Sequence, residues 1–180
     1  MKRMDFLHTR KYLKMEYVLL GILAFFSAAC GYRFSGGGSL PQGIKRVCVE
    51  TLQNKTFETG VENIITNDII YEFTRNNKEL LSSRDEADAI FTGIVESVKI
   101  GSISRRDSHV SLERRVRVNV SLELTNNHGE IVWTAKNISA DEAYDVTSDK
   151  LTTELNRQNA IAKLSKRISE RIFNSLTNDF

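Results

Sequence analysis

From Arg115 to Leu124 the chain alternates strictly. Val116, Val118, Val120, Leu122 and Leu124 are interleaved with Arg115, Arg117, Asn119, Ser121 and Glu123. A period of two sends successive side chains to opposite faces of a strand, so this segment predicts a half-buried strand with one apolar and one wet face. A sheet with one apolar face needs a cover, and two helical stretches supply it. Val61, Ile65, Ile69 and Phe73 recur every four residues with Ile64 on the same side. That is the stripe of an amphipathic helix, which runs to Arg75 and gives out at Asn76 and Asn77. Thr59 followed three residues later by Glu62 has the form of a capping box opening it. Leu151, Leu155, Ala162, Leu164, Ile168, Ile172 and Leu176 mark a second helix of roughly 25 residues, with Lys and Arg on its other side.

Three more strands complete the pattern. Residues 44–52 are apolar and β-branched, and residues 88–102 place Ile90, Ile94, Val98 and Ile100 on one parity. After the turn residues Asn126, Asn127, His128 and Gly129, residues 130–140 pair back as a hairpin with Ile131 and Trp133 on one face. The order is β-α-β-β-β-α. The expected fold is α+β, a two-layer sandwich in which a four-stranded mixed sheet carries both helices on one face. The first two strands are joined through the first helix by a right-handed crossover, and the other sheet face stays polar.

The N-terminal region addresses location rather than fold. Residues 17–29 are almost wholly apolar and follow Lys2, Arg3, Arg10, Lys11 and Lys14, the pattern of a secretory signal peptide. As a helix this run covers about 20 Å, short of the ~30 Å hydrocarbon core of a bilayer. Ser27-Ala28-Ala29-Cys30 resembles the lipobox of bacterial lipoproteins, whose cysteine is acylated and whose chain is cut just before it. Ser27 stands where leucine is usual. Gly31, not aspartate, follows the cysteine, which by the same resemblance directs the protein to the outer membrane, held stably by two or three acyl chains. The expected organisation is a cleaved lipoprotein signal peptide over 1–29, a lipidated flexible tether over 30–43 containing Gly36-Gly37-Gly38 and Pro41, and one domain over 44–180.

Charge narrows the function classes. Of 25 Lys and Arg and 23 Asp and Glu, five and two fall within residues 1–29, which leaves 20 basic against 21 acidic side chains. A neutral domain gives no reason to expect nucleic acid. With Cys30 lipidated, Cys48 has no partner in the chain and reads as a small buried hydrophobe. No catalytic or cofactor pattern is present. His109 and His128 lack metal-ligand spacing, there is no G-x-S-x-G, and Gly36-Gly37-Gly38 has no following Lys-Ser/Thr. Asp85, Glu86 and Asp88 read as a solvated loop. The residues therefore predict a protein that is not an enzyme and takes no metal or cofactor.

One local departure from neutrality remains, the basic density of Lys99, Arg105, Arg106, Arg114, Arg115 and Arg117. Guanidinium groups bind phosphate and carboxylate bidentately, which suits an anionic glycolipid headgroup. The same charges would also keep an exposed strand soluble.

The chain resembles the LptE family of lipopolysaccharide-assembly lipoproteins. The resemblance is carried by Cys30-Gly31-Tyr32-Arg33-Phe34, Leu40-Pro41, Val47 and Val49, Asn54-Lys55-Thr56-Phe57 and Thr59-Gly60-Val61-Glu62. It continues in Ile70-Tyr71-Glu72-Phe73, Ala87-Asp88-Ala89-Ile90-Phe91-Thr92-Gly93 and Gly129-Glu130-Ile131-Val132-Trp133. It implies a two-layer domain inside the lumen of an LptD-type outer-membrane β-barrel, acting as a plug that helps deliver lipopolysaccharide to the outer leaflet without an enzymatic step. It also implies that basic residues on the sheet side contact lipopolysaccharide. The other class open to the chain is a non-catalytic, periplasm-facing lipoprotein adaptor of envelope assembly with no barrel partner.

Overall fold

The protein is described here by a computed structural model covering residues 40–103 and 112–178. The expected signal peptide, Cys30, most of the tether, Arg105, Arg106 and His109 lie outside the described residues. The strands are β1 (Val47–Val49), β2 (Gln53–Asn54), β3 (Ala89–Ile103), β4 (Leu112–Asn126) and β5 (Ile131–Val146). The helices are α1 (Val61–Asn76) and α2 (Lys150–Asn178). The sheet runs β1-β3-β4-β5, with β2 also on β3. β1 and β2 lie parallel to β3, and the two later pairings are antiparallel. The mixed sheet with two helices is thus the α+β architecture expected, with a short fifth strand added.

The fifth strand arises because residues 44–52 do not stay extended along β3. The chain leaves after Val49, Leu52 drops into the core, and its amide is satisfied by the Thr66 hydroxyl of α1 at 3.1 Å. Gln53 and Asn54 then return to β3 beside Ile94 and Val95. Gly93 makes this possible. A Cβ there would stand 2.6 Å from Leu122 Cδ2, 3.0 Å from the Ser121 carbonyl and 3.2 Å from Leu52 Cγ.

β3 corrects the expected parity. Ala89, Phe91 and Val95 face the core, while Ile90 and Ile94 are only half buried on the outer face. Val95 pairs with Val120 and Ser97 with Asn119, so Glu96 is an extra residue, a β-bulge. Beyond it the parity reverses, and Val98 and Ile100 join the inner face opposite Val118 and Val116. A similar irregularity between Leu124 and Thr125 separates Trp133, which is buried, from Ile131, which is exposed. Cys48 also differs from expectation, being half buried, because it is Val47 beside it that turns inward.

The helices cover the inner face. α1 buries Val61, Ile65, Ile69 and Phe73 as its spacing predicts, but Ile64 is exposed. Gly60, with φ of 90°, and not Thr59, is the N-cap. Half of the expected box survives, since Glu62 accepts the Gly60 amide at 3.0 Å and also the Asn54 side-chain amide at 2.7 Å. α2 buries Ile161, Leu164, Ile168, Ile172, Phe173 and Leu176. Its first two apolar residues, Leu151 and Leu155, are 68% and 51% exposed and lie outside the buried stripe. Asp149 opens α2, accepting the Leu151 and Thr152 amides at 3.2 and 2.9 Å.

The layers meet on aromatic edges. The Phe73 ring of α1 stands edge-on to Phe91 of β3 at 6.1 Å and to Phe173 of α2 at 5.3 Å, and Phe91 stacks on Trp133 of β5 at 6.0 Å. Phe73→Ala therefore removes the contact common to sheet and both helices and is expected to cost about 3–5 kcal/mol, read as a lowered urea midpoint with unchanged m.

Asp88 fastens β1 to β3. Its Oδ2 accepts the Lys45 and Arg46 amides at 3.0 and 2.9 Å, and these two bonds hold its carboxyl below the ordinary 3.8. A depressed carboxyl pKa contributes stability that is present above about pH 4 and lost as pH falls through the lower, folded value. Asp88→Asn should flatten the acid limb of a stability-against-pH curve below pH 4. Identical limbs in variant and parent would assign the acid sensitivity to other carboxyls.

Candidate anion-binding face

The sheet face away from the helices carries the outward half of β4: Arg115, Arg117, Asn119, Ser121 and Glu123. Because the bulge at Glu96 has reversed the parity of β3, Lys99 lies on this same face, directly opposite Arg117. Like charges placed opposite each other on adjacent strands are destabilising. The cost is offset from the other side, where Asp141 of β5 faces Arg117 in register. Asp141 Oδ1 is 3.3 Å from Arg117 Nη2, and Oδ2 is 3.2 Å from Arg115 Nε. Two guanidinium groups thus share one carboxylate, with Lys99 on the other side of Arg117. Two residues further along, Glu113 faces Asp145, so the positive excess is centred on Lys99 and Arg117.

The six residues singled out from sequence do not form one cluster. Lys99, Arg115 and Arg117 are brought together. Arg114 is turned by the strand alternation to the opposite face, in register with Tyr144, and does not belong to the group. Arg105 and Arg106 lie outside the described residues. Asp141 was not found from sequence, because the last strand was expected to stop near residue 140. The signal was present only in part, in Ala140, Tyr144 and Val146 alternating with Asp141 and Asp145, because Glu142 on the inward parity and Ala143 on the outward one break the pattern. Nearby, the Asn119 side-chain amide donates to Asn137 Oδ1 at 3.2 Å, and Asn137 sits at a second bulge with φ of 59°. Among the described residues no group of three His, Cys, Asp or Glu is placed to hold a metal ion.

Of the concavities among the described residues, one of about 200 Å³ lies on this face beside Ser121, Glu123 and Lys136, and two lie elsewhere. Between α1 and α2 a cleft of about 530 Å³ is lined by Asp68, Tyr71, Glu72, Arg75, Lys166 and Glu170. It is largely self-satisfied, with Arg75 on Glu72 at 2.8 Å and Ser165 donating to Asp68 at 2.5 Å. The other, of about 330 Å³, runs along the open edge of β3 beyond Val95 and includes Lys55, Phe57, Glu96, Lys99 and Ile100 in its lining. The loop carrying Phe57 is held by Arg157 of α2, which bonds both Glu154 and Glu58. Those two hydrogen bonds, Glu154 first, raise the Arg157 pKa above its ordinary value.

A family model described as LptE, lipopolysaccharide-assembly, matches residues 44–176. No curated protein matches the chain. Among solved structures, the solution structure of uncharacterized lipoprotein B from Nitrosomonas europaea is similar at 15% identity, covering 83% of this chain and 92% of that one with a TM-score of 0.54. Rare lipoprotein B from Shewanella oneidensis gives 15% identity, 73% and 95% coverage and a TM-score of 0.49. A minor lipoprotein from Acinetobacter baumannii gives 12% identity, 75% and 92% coverage and 0.48. At these identities the likeness to the Nitrosomonas structure concerns the fold alone.

The geometry makes Asp141 a competitor for any incoming anion. Asp141→Asn should release Arg115 and Arg117 and lengthen retention of the folded protein on a phosphate-bearing resin, shifting elution to higher salt. Unchanged elution would show that these guanidinium groups do not engage anions.

Proposed function

The chain belongs to the LptE lipopolysaccharide-assembly family, and on that premise we propose that it is an outer-membrane lipoprotein that plugs and stabilises an LptD-type β-barrel and binds lipopolysaccharide during its insertion into the outer leaflet. Residues 1–29 serve as the signal peptide, Cys30 carries the lipid, and residues 30–43 tether the domain to the membrane. The protein acts by binding and positioning, without a chemical step or cofactor.

The observation that carries this reading is the Lys99 and Arg117 pair on the uncovered sheet face. Two cations held side by side at an energetic cost suit a doubly charged or multiply phosphorylated ligand such as a lipopolysaccharide headgroup. The polar outer face adds support, since the lumen of an outer-membrane barrel is itself polar and a plug must present polar groups to it. Arg115 and Arg117 are the residues assigned to the headgroup together with Lys99. Arg105 and Arg106 remain candidates by their place in the sequence beside this strand.

Two measurements test the reading. The lipidated protein, pulled down from detergent-solubilised outer membrane, should bring a large β-barrel with it, and depletion should leave that barrel unstable. A barrel that assembles normally in its absence, with a monomeric lipoprotein in mild detergent, would instead indicate the barrel-free adaptor. Charge reversal in the R115E/R117E variant, with the fold checked by circular dichroism, should reduce lipopolysaccharide binding about tenfold or more. Full binding by a folded variant would reduce the cluster to a solubilising role.

A further inference from the structure

Eight large apolar side chains are exposed among the described residues, and five of them, Phe57, Ile100, Leu112, Leu151 and Leu155, sit toward the end of the domain where β3 finishes and β4 begins. Leu112 pairs with Val146, from which the chain passes directly into α2 and its exposed Leu151 and Leu155. Phe57 and Ile100 line the 330 Å³ groove at the β3 edge. Single exposed apolar residues need no explanation, but this concentration at one end does.

We infer that this groove and the apolar end around it seat acyl chains of the anionic glycolipid whose phosphate is taken by Lys99 and Arg117. The inference rests on the lipopolysaccharide reading above and adds to it the place of the lipid tails. Lys99 is the joint between the two parts, since it lines the groove and is also the cross-strand neighbour of Arg117. The other charges of the groove are matched internally. Lys55 lies 3.7 Å from Glu96, and Glu58 is bonded to Arg157. What the groove offers is thus Phe57, Val98 and Ile100 among polar side chains whose charges are paired, with Lys99 the positive group left for an incoming anion, the complement of an amphiphile with an anionic head.

One other occupant fits less well. An added peptide strand would need a regular edge, and the bulge at Glu96 together with Lys99 is the arrangement that discourages edge pairing.

The test uses the lipidated protein in mild detergent with three probes: a bis-phosphorylated, multiply acylated glucosamine disaccharide, the same disaccharide fully deacylated, and phosphatidylglycerol vesicles. The parent should bind the acylated probe about tenfold or more tighter than the deacylated one. The F57S/I100T and L151S/L155S variants, checked for fold by circular dichroism, should lose that difference while keeping deacylated binding. Arg117→Ala should weaken both. Variants that retain the full acyl preference would overturn the seat while leaving headgroup binding intact. Equal binding of the parent to vesicles would overturn it in favour of a lipid-surface patch, and loss of barrel co-purification with glycolipid binding unchanged would overturn it in favour of a barrel contact. A parent that binds neither disaccharide would remove the lipopolysaccharide reading itself.

Discussion

One extra residue in β3 decides what both faces of the sheet can do. Glu96 is accommodated as a bulge, so that Val95 points into the core and Lys99, four residues on, points away from it. Without the bulge, strict alternation would carry Lys99 to the helix side and bring Val98 and Ile100 out. The core would lose apolar cover opposite Val116 and Val118. The outer face would lose the neighbour of Arg117. The packing of the helices and the charge of the opposite surface are therefore tied to the same local irregularity.

Much of this was legible in the sequence, and what was not has specific causes. The β4 alternation located its inner residues because nothing interrupts that strand before Leu124. The spacing of Val61, Ile65, Ile69 and Phe73 located the buried stripe of α1 for the same reason. β3 misled because it carries apolar residues on both parities, so that Ile90 and Ile94, half buried on the outer face, resemble core positions. A bulge also leaves no compositional mark at Glu96. In α2 the helical spacing of Leu151 and Leu155 is real, but periodicity reports a face and not whether anything lies against it.

The basic group shows the same limit from the functional side. Counting Lys and Arg between residues 99 and 117 overstates the cluster, because adjacent strand positions such as Arg114 and Arg115 part to opposite faces. Counting also misses Asp141, which comes from the next strand. Sequence proximity found the region, while strand register selected Lys99, Arg115 and Arg117 within it. Membership of the lipopolysaccharide-assembly family gives these residues a context that the charge pattern alone could not supply.

Asp141 also governs how firmly such a face can hold on. An anion arriving at Arg115 and Arg117 does not fill a vacant site but replaces a resident carboxylate, so the net gain is the difference between two solvent-exposed ion pairs, each worth about 0–1 kcal/mol. A small difference gives fast departure, because affinity among related contacts is set mainly by the rate of release. On the proposed lipopolysaccharide reading, such a surface suits exchange. A ligand passing over it can be received and handed on at comparable cost, which is the behaviour a conduit requires and a storage site does not.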